Sequence, residues 1–258
     1  MDLAARHAAP PGPVRAAATG LARLVWPVAC PGCGEPDVPV CPGCAATVVR
    51  AGPVLRPAAA AGAPPVRAAA PYAGPARDVL LAWKERGRHD LAPLLAAGLR
   101  RAGAAAVAEG LLVGVPDGAR PVLVPVPSSR RAVRQRGGDL VEDLARRWVR
   151  AAGPGGPGGV APVLALRAGS GDQVGRGAAA RRRARAGALV LRRRPPPVCV
   201  LVDDVVTTGA TLAAAADALA GGGARVVAAV VVLATPAPRP VGEAARAVHG
   251  VVTRRPSP

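Results

Sequence analysis

The sequence predicts an α/β fold, a mostly parallel sheet with helices on both faces, plus a small N-terminal four-cysteine module. Three observations carry this. Short Val-rich runs alternate with longer Ala/Leu segments of helical spacing, the pattern of strands joined by crossover helices. Residues 200–212 run from an apolar strand through two acids and a Thr/Gly turn into an Ala-rich helix. Ahead of the alternating region stand two Cys-x-x-Cys pairs.

In chain order, residues 1–20 are Ala/Pro/Arg-rich and are expected to be disordered. Residues 21–26 predict a short helix leading into the four-cysteine module, which spans 21–50. Residues 51–65, rich in Pro, Ala and Gly, read as a linker. The main domain is expected over 66–235. It opens with a strand at 67–72 and helices at 76–84 and 91–107. A strand at 121–126 stops at Pro127-Ser128-Ser129. Residues 139–151 form a helix by the spacing of Leu140, Val141, Leu144 and Trp148. The Gly/Pro run 153–159 is a loop, and 163–166 a short strand. Residues 170–185 are polar, Gly-rich and basic, either a mobile loop or a partly exposed helix. Strands are expected at 188–192, 198–202 and 225–234. The last two flank a helix at 210–220, closed by Gly221-Gly222-Gly223. The tail 236–258 offers one edge strand at 247–252.

Half of the 258 residues are apolar, enough for a core, yet there is no Phe, one Tyr and three Trp. The core must therefore be Val, Leu and Ala. The formal charge is +18, nearly all from Arg. Such a balance fits a nucleic-acid partner, and equally the coding bias of a GC-rich genome. The scarcity of aromatic residues argues against a single-strand binder that works by base stacking. No apolar run is expected to reach a membrane span, and no signal peptide is expected. The chain reads as cytoplasmic.

Cys30-x-x-Cys33 and Cys41-x-x-Cys44 are both Cys-Pro-Gly-Cys knuckles, separated by residues 34–40. Each Pro-Gly turn aims two thiolates at one point. Two such turns complete a tetrahedral site suited to structural Zn2+. A pair of disulfides or a redox role is the alternative, disfavoured by a reducing compartment and by the matched pairs. Cys199 lies in an apolar strand and reads as a small buried hydrophobe.

At the end of the 198–202 strand, Asp203 and Asp204 precede Val205, Val206, Thr207, Thr208, Gly209, Ala210 and Thr211. A turn feeding a helix N-terminus offers backbone N–H groups to an anion. Carboxylates beside it could accept hydrogen bonds from sugar hydroxyls. The pair describes a receptor for a ribose 5-phosphate. The run resembles the phosphoribosyl-pyrophosphate motif of type I phosphoribosyltransferases. That resemblance implies their fold, with Asp203 and Asp204 on the ribose hydroxyls and residues 205–211 around the 5-phosphate.

The order of zinc ribbon and transferase-like domain resembles the ComF family, known from bacterial competence and DNA uptake. Tyr72, Arg77 and Lys84 resemble that family's opening segment. Val124-Pro125-Val126-Pro127, Arg130, Arg134 and Arg136-Gly137 resemble its next one. The resemblance implies a pyrophosphate loop containing Ser128, Arg130 and Arg136. It also implies a hood over the site carrying Arg167, Asp172-Gln173 and Arg181. Gly138, Arg176 and Ala184 depart from the family pattern. The implied activity is phosphoribosyl transfer from phosphoribosyl pyrophosphate with Mg2+, with Asp203, Asp204 and Lys84 as catalytic residues. A non-enzymatic alternative is a nucleotide-sensing module for DNA uptake or single-stranded DNA processing. There the ribbon and the Arg-rich segments, Arg181-Arg182-Arg183 among them, would contact DNA or partner proteins.

Overall fold

The structure is a computed structural model and describes residues 28–50, 54–55, 62–112, 115–116, 118–167 and 189–235. The expectations for 1–20, the 21–26 helix, the hood residues Asp172, Gln173, Arg176, Arg181, Arg182, Arg183 and Ala184, and the tail 236–258 lie outside these residues.

The main sheet has the order β1-β2-β7-β6-β3. Its strands are β1 (Val54–Leu55), β2 (Val66–Pro71), β3 (Val122–Pro125), β6 (Val198–Val206) and β7 (Arg225–Ala234). All neighbours run parallel except the edge strand β1, which is antiparallel to β2. β4 (Leu164–Leu166) and β5 (Leu189–Leu191) form a separate antiparallel pair. The predicted α/β class is thus what the chain forms. β1 falls inside the stretch that composition marks as linker.

The helices are α1 (Pro42–Val49), α2 (Gly74–Glu85), α3 (Ala92–Ala108), α4 (Arg130–Arg136), α5 (Leu140–Ala151) and α6 (Ala210–Gly221). Two apolar layers sandwich the sheet. On one face Val200, Val202, Val230 and Val232 meet Leu80 and Trp83 of α2, Leu95 and Leu99 of α3, and Leu144 and Trp148 of α5. On the other, Leu201, Cys199, Ala229 and Val231 meet Leu212, Ala215 and Leu219 of α6 and Leu164 of β4. Alternate residues of one strand thus feed opposite cores, the period of a pleated strand buried on both sides. The alternation slips near the C-terminal ends, where Val232 and Leu233 both face the α2 layer.

Small residues let helices approach closely. A Cβ on Gly98 of α3 would stand 2.7 Å from the Val48 carbonyl oxygen of α1, and one on Gly103 would run into the Trp148 ring of α5. Together with a preceding 3-10 turn, α3 makes one helix, His89–Ala108, long and apolar enough by length and composition to cross a membrane. Sequence reading expects no such run. Leu95, Leu99, Ala102 and Ala106 of this helix are buried, which is the pattern of a core helix.

Two segments differ from expectation in kind. Residues 130–136, which the resemblance implies lie in a pyrophosphate loop, form helix α4, because the Ser129 hydroxyl caps it by accepting from the Ala132 N–H at 3.2 Å. Gly137 ends it at φ 73°, a left-handed turn that favours Gly. β6 continues through the two acids to Val206 rather than stopping at Val202.

Candidate functional site

The C-terminal ends of β2, β6 and β3 converge on one edge of the sheet, where parallel α/β sheets place their ligands. Asp203 stands in register with Val231, which faces the α6 layer. Asp204, the next residue, turns to the other face. It is 8% exposed and forms an ion pair with Lys84 in the last turn of α2. Consecutive carboxylates thus flank the strand instead of lying side by side. The Asp204 N–H donates to Asp203 Oδ1 at 2.8 Å, which fixes the rotamer of the first acid.

After Val206 the chain turns through Thr207 and Thr208 to Gly209, whose φ of 78° is left-handed. Gly209 is the N-cap of α6 and has no side chain to fill the cap, so the first amides of α6 are not covered by it. The Ala210 N–H donates to Thr208 Oγ1 at a long 3.4 Å. Ala210 and Thr211 begin the helix. A turn of this shape presents backbone N–H groups and the positive end of a helix to an anion.

On the α2 side, Tyr72, Leu80, Leu81, Lys84, Glu85, Val205 and Thr207 line a recess of about 180 Å³. On the other side, β3 pairs directly with β6, and the Val126 N–H donates to the Val202 carbonyl at 2.9 Å. Ser128 follows. Its N–H and hydroxyl are held by the Asp139 carboxylate at 2.8 and 3.3 Å. Asp139 also caps α5 through the N–H groups of Val141 and Glu142. One carboxylate therefore fixes both the segment after β3 and the start of α5. Arg130 is exposed and Arg136 half-buried on α4, one strand over from the acids.

Residues 197–245 match the phosphoribosyl transferase domain family. The matched stretch contains β6, both acids, the 205–211 turn, α6 and β7. The domain is phosphoribosyltransferase-like. Among curated proteins, none matches the chain.

The four-cysteine module docks on this phosphoribosyltransferase-like domain. Its four sulfurs, from Cys30, Cys33, Cys41 and Cys44, all lie within 4.8 Å of one another. All five cysteines of the chain are free thiols. Cys33 Sγ is 3.6 Å from Cys41 Sγ, close to the edge of about 3.8 Å of a tetrahedron with Zn–S bonds of about 2.3 Å. The set fits a four-coordinate thiophilic metal such as zinc. Burial alone would push the Cys30 thiol up, but the N–H groups of Cys41, Gly32 and Cys33 outweigh it and hold it at about 6. Burial and then the neighbouring sulfurs push Cys44 up. Crowded thiols share one negative charge poorly, and a dication relieves that repulsion.

The module is only partly a ribbon. Ala29 and Pro36 form a bridge across the first knuckle, whereas the second opens α1, with Cys41 as N-cap and Pro42 in the first turn. Residue types and spacing locate the sulfurs but say nothing about docking. Arg88 is the residue that sequence reading missed. It donates to the Ala29 carbonyl at 3.2 Å, to the Pro39 carbonyl at 2.9 Å, and to both oxygens of Asp90. Its acceptors in the module are backbone atoms, which leave no mark in a sequence. Asp139, by contrast, had a visible signal: an Asp immediately before a helical pattern is an N-cap.

Proposed function

We propose that the protein binds phosphoribosyl pyrophosphate with Mg2+ and transfers the phosphoribosyl group to an acceptor, releasing pyrophosphate. The observation that carries this is the left-handed Gly209 turn between the acid-bearing end of β6 and the start of α6. In this reading residues 205–211 wrap the 5-phosphate, and Asp203 and Asp204 accept from the ribose hydroxyls. Ser128, Arg130, Arg136 and Lys84 face the pyrophosphate. The bond from ribose C1 to the pyrophosphate oxygen breaks, and the acceptor nucleophile takes its place on C1. The protein's own contribution is positioning and stabilisation of the leaving charge. Mg2+, when bound, offsets pyrophosphate charge, and the carboxylates of Asp203 and Asp204 are hard oxygen donors of the type it takes. The succession of cysteine cluster and transferase-like domain supports a ComF-like protein with Zn2+ in the cluster. A second reading, a nucleotide-sensing module for single-stranded DNA processing, is favoured by exposed Arg130, Arg131 and Arg134 on α4.

Calorimetric titration of phosphoribosyl pyrophosphate with Mg2+ tests the first reading. Wild type is expected to bind. The double variant Asp203→Asn, Asp204→Asn is expected to bind roughly 100-fold more weakly, from two lost charged acceptors at about 1.5 kcal/mol each. A wild type that does not bind sinks it. Pyrophosphate release across a panel of nucleobases and amines separates the transferase from the sensor.

A further inference from the structure

The cysteine cluster and the donor site share one helix, α2. At its N-terminal end, a Cβ on Gly32 of the first knuckle would stand 2.9 Å from Pro75 and 2.7 Å from Cys44 Sγ. The first knuckle is thus wedged between the second and the first turn of α2. At the other end, the N–H groups of Arg86 and Arg88 both donate to the Ala82 carbonyl, at 3.2 and 3.1 Å. This fastens Arg88 to the turn that carries Lys84. The Arg88 side chain then reaches the first-knuckle carbonyl of Ala29 and the carbonyl of Pro39, with Asp90 fixing its fork.

The two knuckles are anchored differently. The second is part of α1, which is held to the core by buried Val48 and by Arg101 donating to the Val49 carbonyl at 2.8 Å. The first has no helix of its own. It is tied to the second by the four sulfurs, and to α2 by the Pro75 contact and Arg88. Closing the sulfur set around a metal therefore braces the piece that grips α2, and opening it loosens that piece while α1 keeps its own anchors.

We propose that Arg88 is a positioning residue for the donor site, transmitting the closed cysteine cluster through the last turn of α2 so that Lys84 is held against Asp204. The consequence is a donor affinity that depends on metal loading. This rests on the donor reading given above. The coupling is mechanical, a rigid element with two attachments, and its size is that of ordinary contact networks.

The test uses the full chain loaded with zinc. Arg88→Ala is expected to keep one zinc per chain and to weaken phosphoribosyl pyrophosphate binding about fivefold to tenfold. Ribose 5-phosphate keeps the hydroxyls that Asp204 accepts from but lacks the group that Lys84 faces, and is expected to lose less affinity in the variant than phosphoribosyl pyrophosphate does. Arg88→Lys, which keeps the charge but cannot span both carbonyls, recovers only part of the loss. Equal donor affinity in wild type and Arg88→Ala overturns the proposal, and so does an equal loss for both ligands, which marks general destabilisation. A separate arm needs no donor. Chelating zinc from wild type is expected to raise amide hydrogen exchange in α2 while β6 and β7 stay protected; unchanged exchange in α2 overturns the proposal. If wild type binds no donor, the functional reading fails on its own, and the exchange arm still decides the coupling.

Discussion

Lys84 is the one lysine in a chain with 34 basic residues, and it is the residue that meets Asp204. An ammonium is a compact charge on a flexible stem, whereas guanidinium is a broad planar fork. Beside a carboxylate that is 8% exposed, on a short approach from the end of α2, the smaller head fits where a fork would need two acceptors in plane. The composition that makes Arg the default cation therefore makes this position more informative than its type alone suggests. Cys199 is the opposite case, a reactive residue type with nothing to do. Burial pushes its thiol up to about 11 and it donates to the Pro196 carbonyl at 3.1 Å. At pH 8 alkylating reagents are expected to leave Cys199 unmodified in the folded, chelated protein while the exposed Cys33 reacts. Mass spectrometry of the labelled chain reads this directly, and early labelling of Cys199 contradicts it.

At the scale of elements, α3 is the beam on which α1 and α5 rest, and its glycines set the spacing. Gly103→Ala would drive a methyl carbon into the Trp148 ring. The gain in helix propensity, about 1 kcal/mol, is smaller than the overpacking cost, so the variant is expected to lose about 1–2 kcal/mol net in urea unfolding. The Arg88–Asp90 pair gives the docking of the module a pH dependence. The Arg88 guanidinium, by hydrogen bonding, holds the Asp90 carboxyl below its usual value. A carboxyl lowered on folding contributes stability that is present above its unfolded value, near 4, and is lost as pH falls through the lower folded value. The stability difference between wild type and Asp90→Asn is therefore expected at pH 6 and should begin to shrink near pH 4; a difference that grows in acid would contradict the assignment. The strands and the long helices were legible from periodicity because each buries a continuous face: α5 carries Leu140, Val141, Leu144 and Trp148 on one side. Helix α4 was not, because it buries no residue and is made by the Ser129 cap and Gly137. The end of β6 was misjudged because carboxylates look like strand terminators, whereas here the ladder with β7 continues past them.

For the whole molecule, the sequence locates the sulfurs, the acids and the Gly209 turn, but not how the halves meet, since docking runs through backbone carbonyls and a glycine surface. Metal binding is folding energy when the apo site is not preformed. Cys41→Ser is expected to bring zinc below one per chain and to lower the melting temperature by about 5 °C or more. Metal analysis and calorimetry check both, and an unchanged melting temperature would make the cluster a passenger. The alternation of β6 has one more consequence. Asp203 faces the layer of α6, and Asp204 faces the layer of α2 and the module. Adjacent letters of the sequence are thus tuned by separate neighbourhoods. Substitutions in α2 or the knuckles retune one acid, substitutions around α6 the other, and a single-residue insertion in β6 would exchange their roles at a stroke. Two carboxylates can thus drift independently while remaining one peptide bond apart.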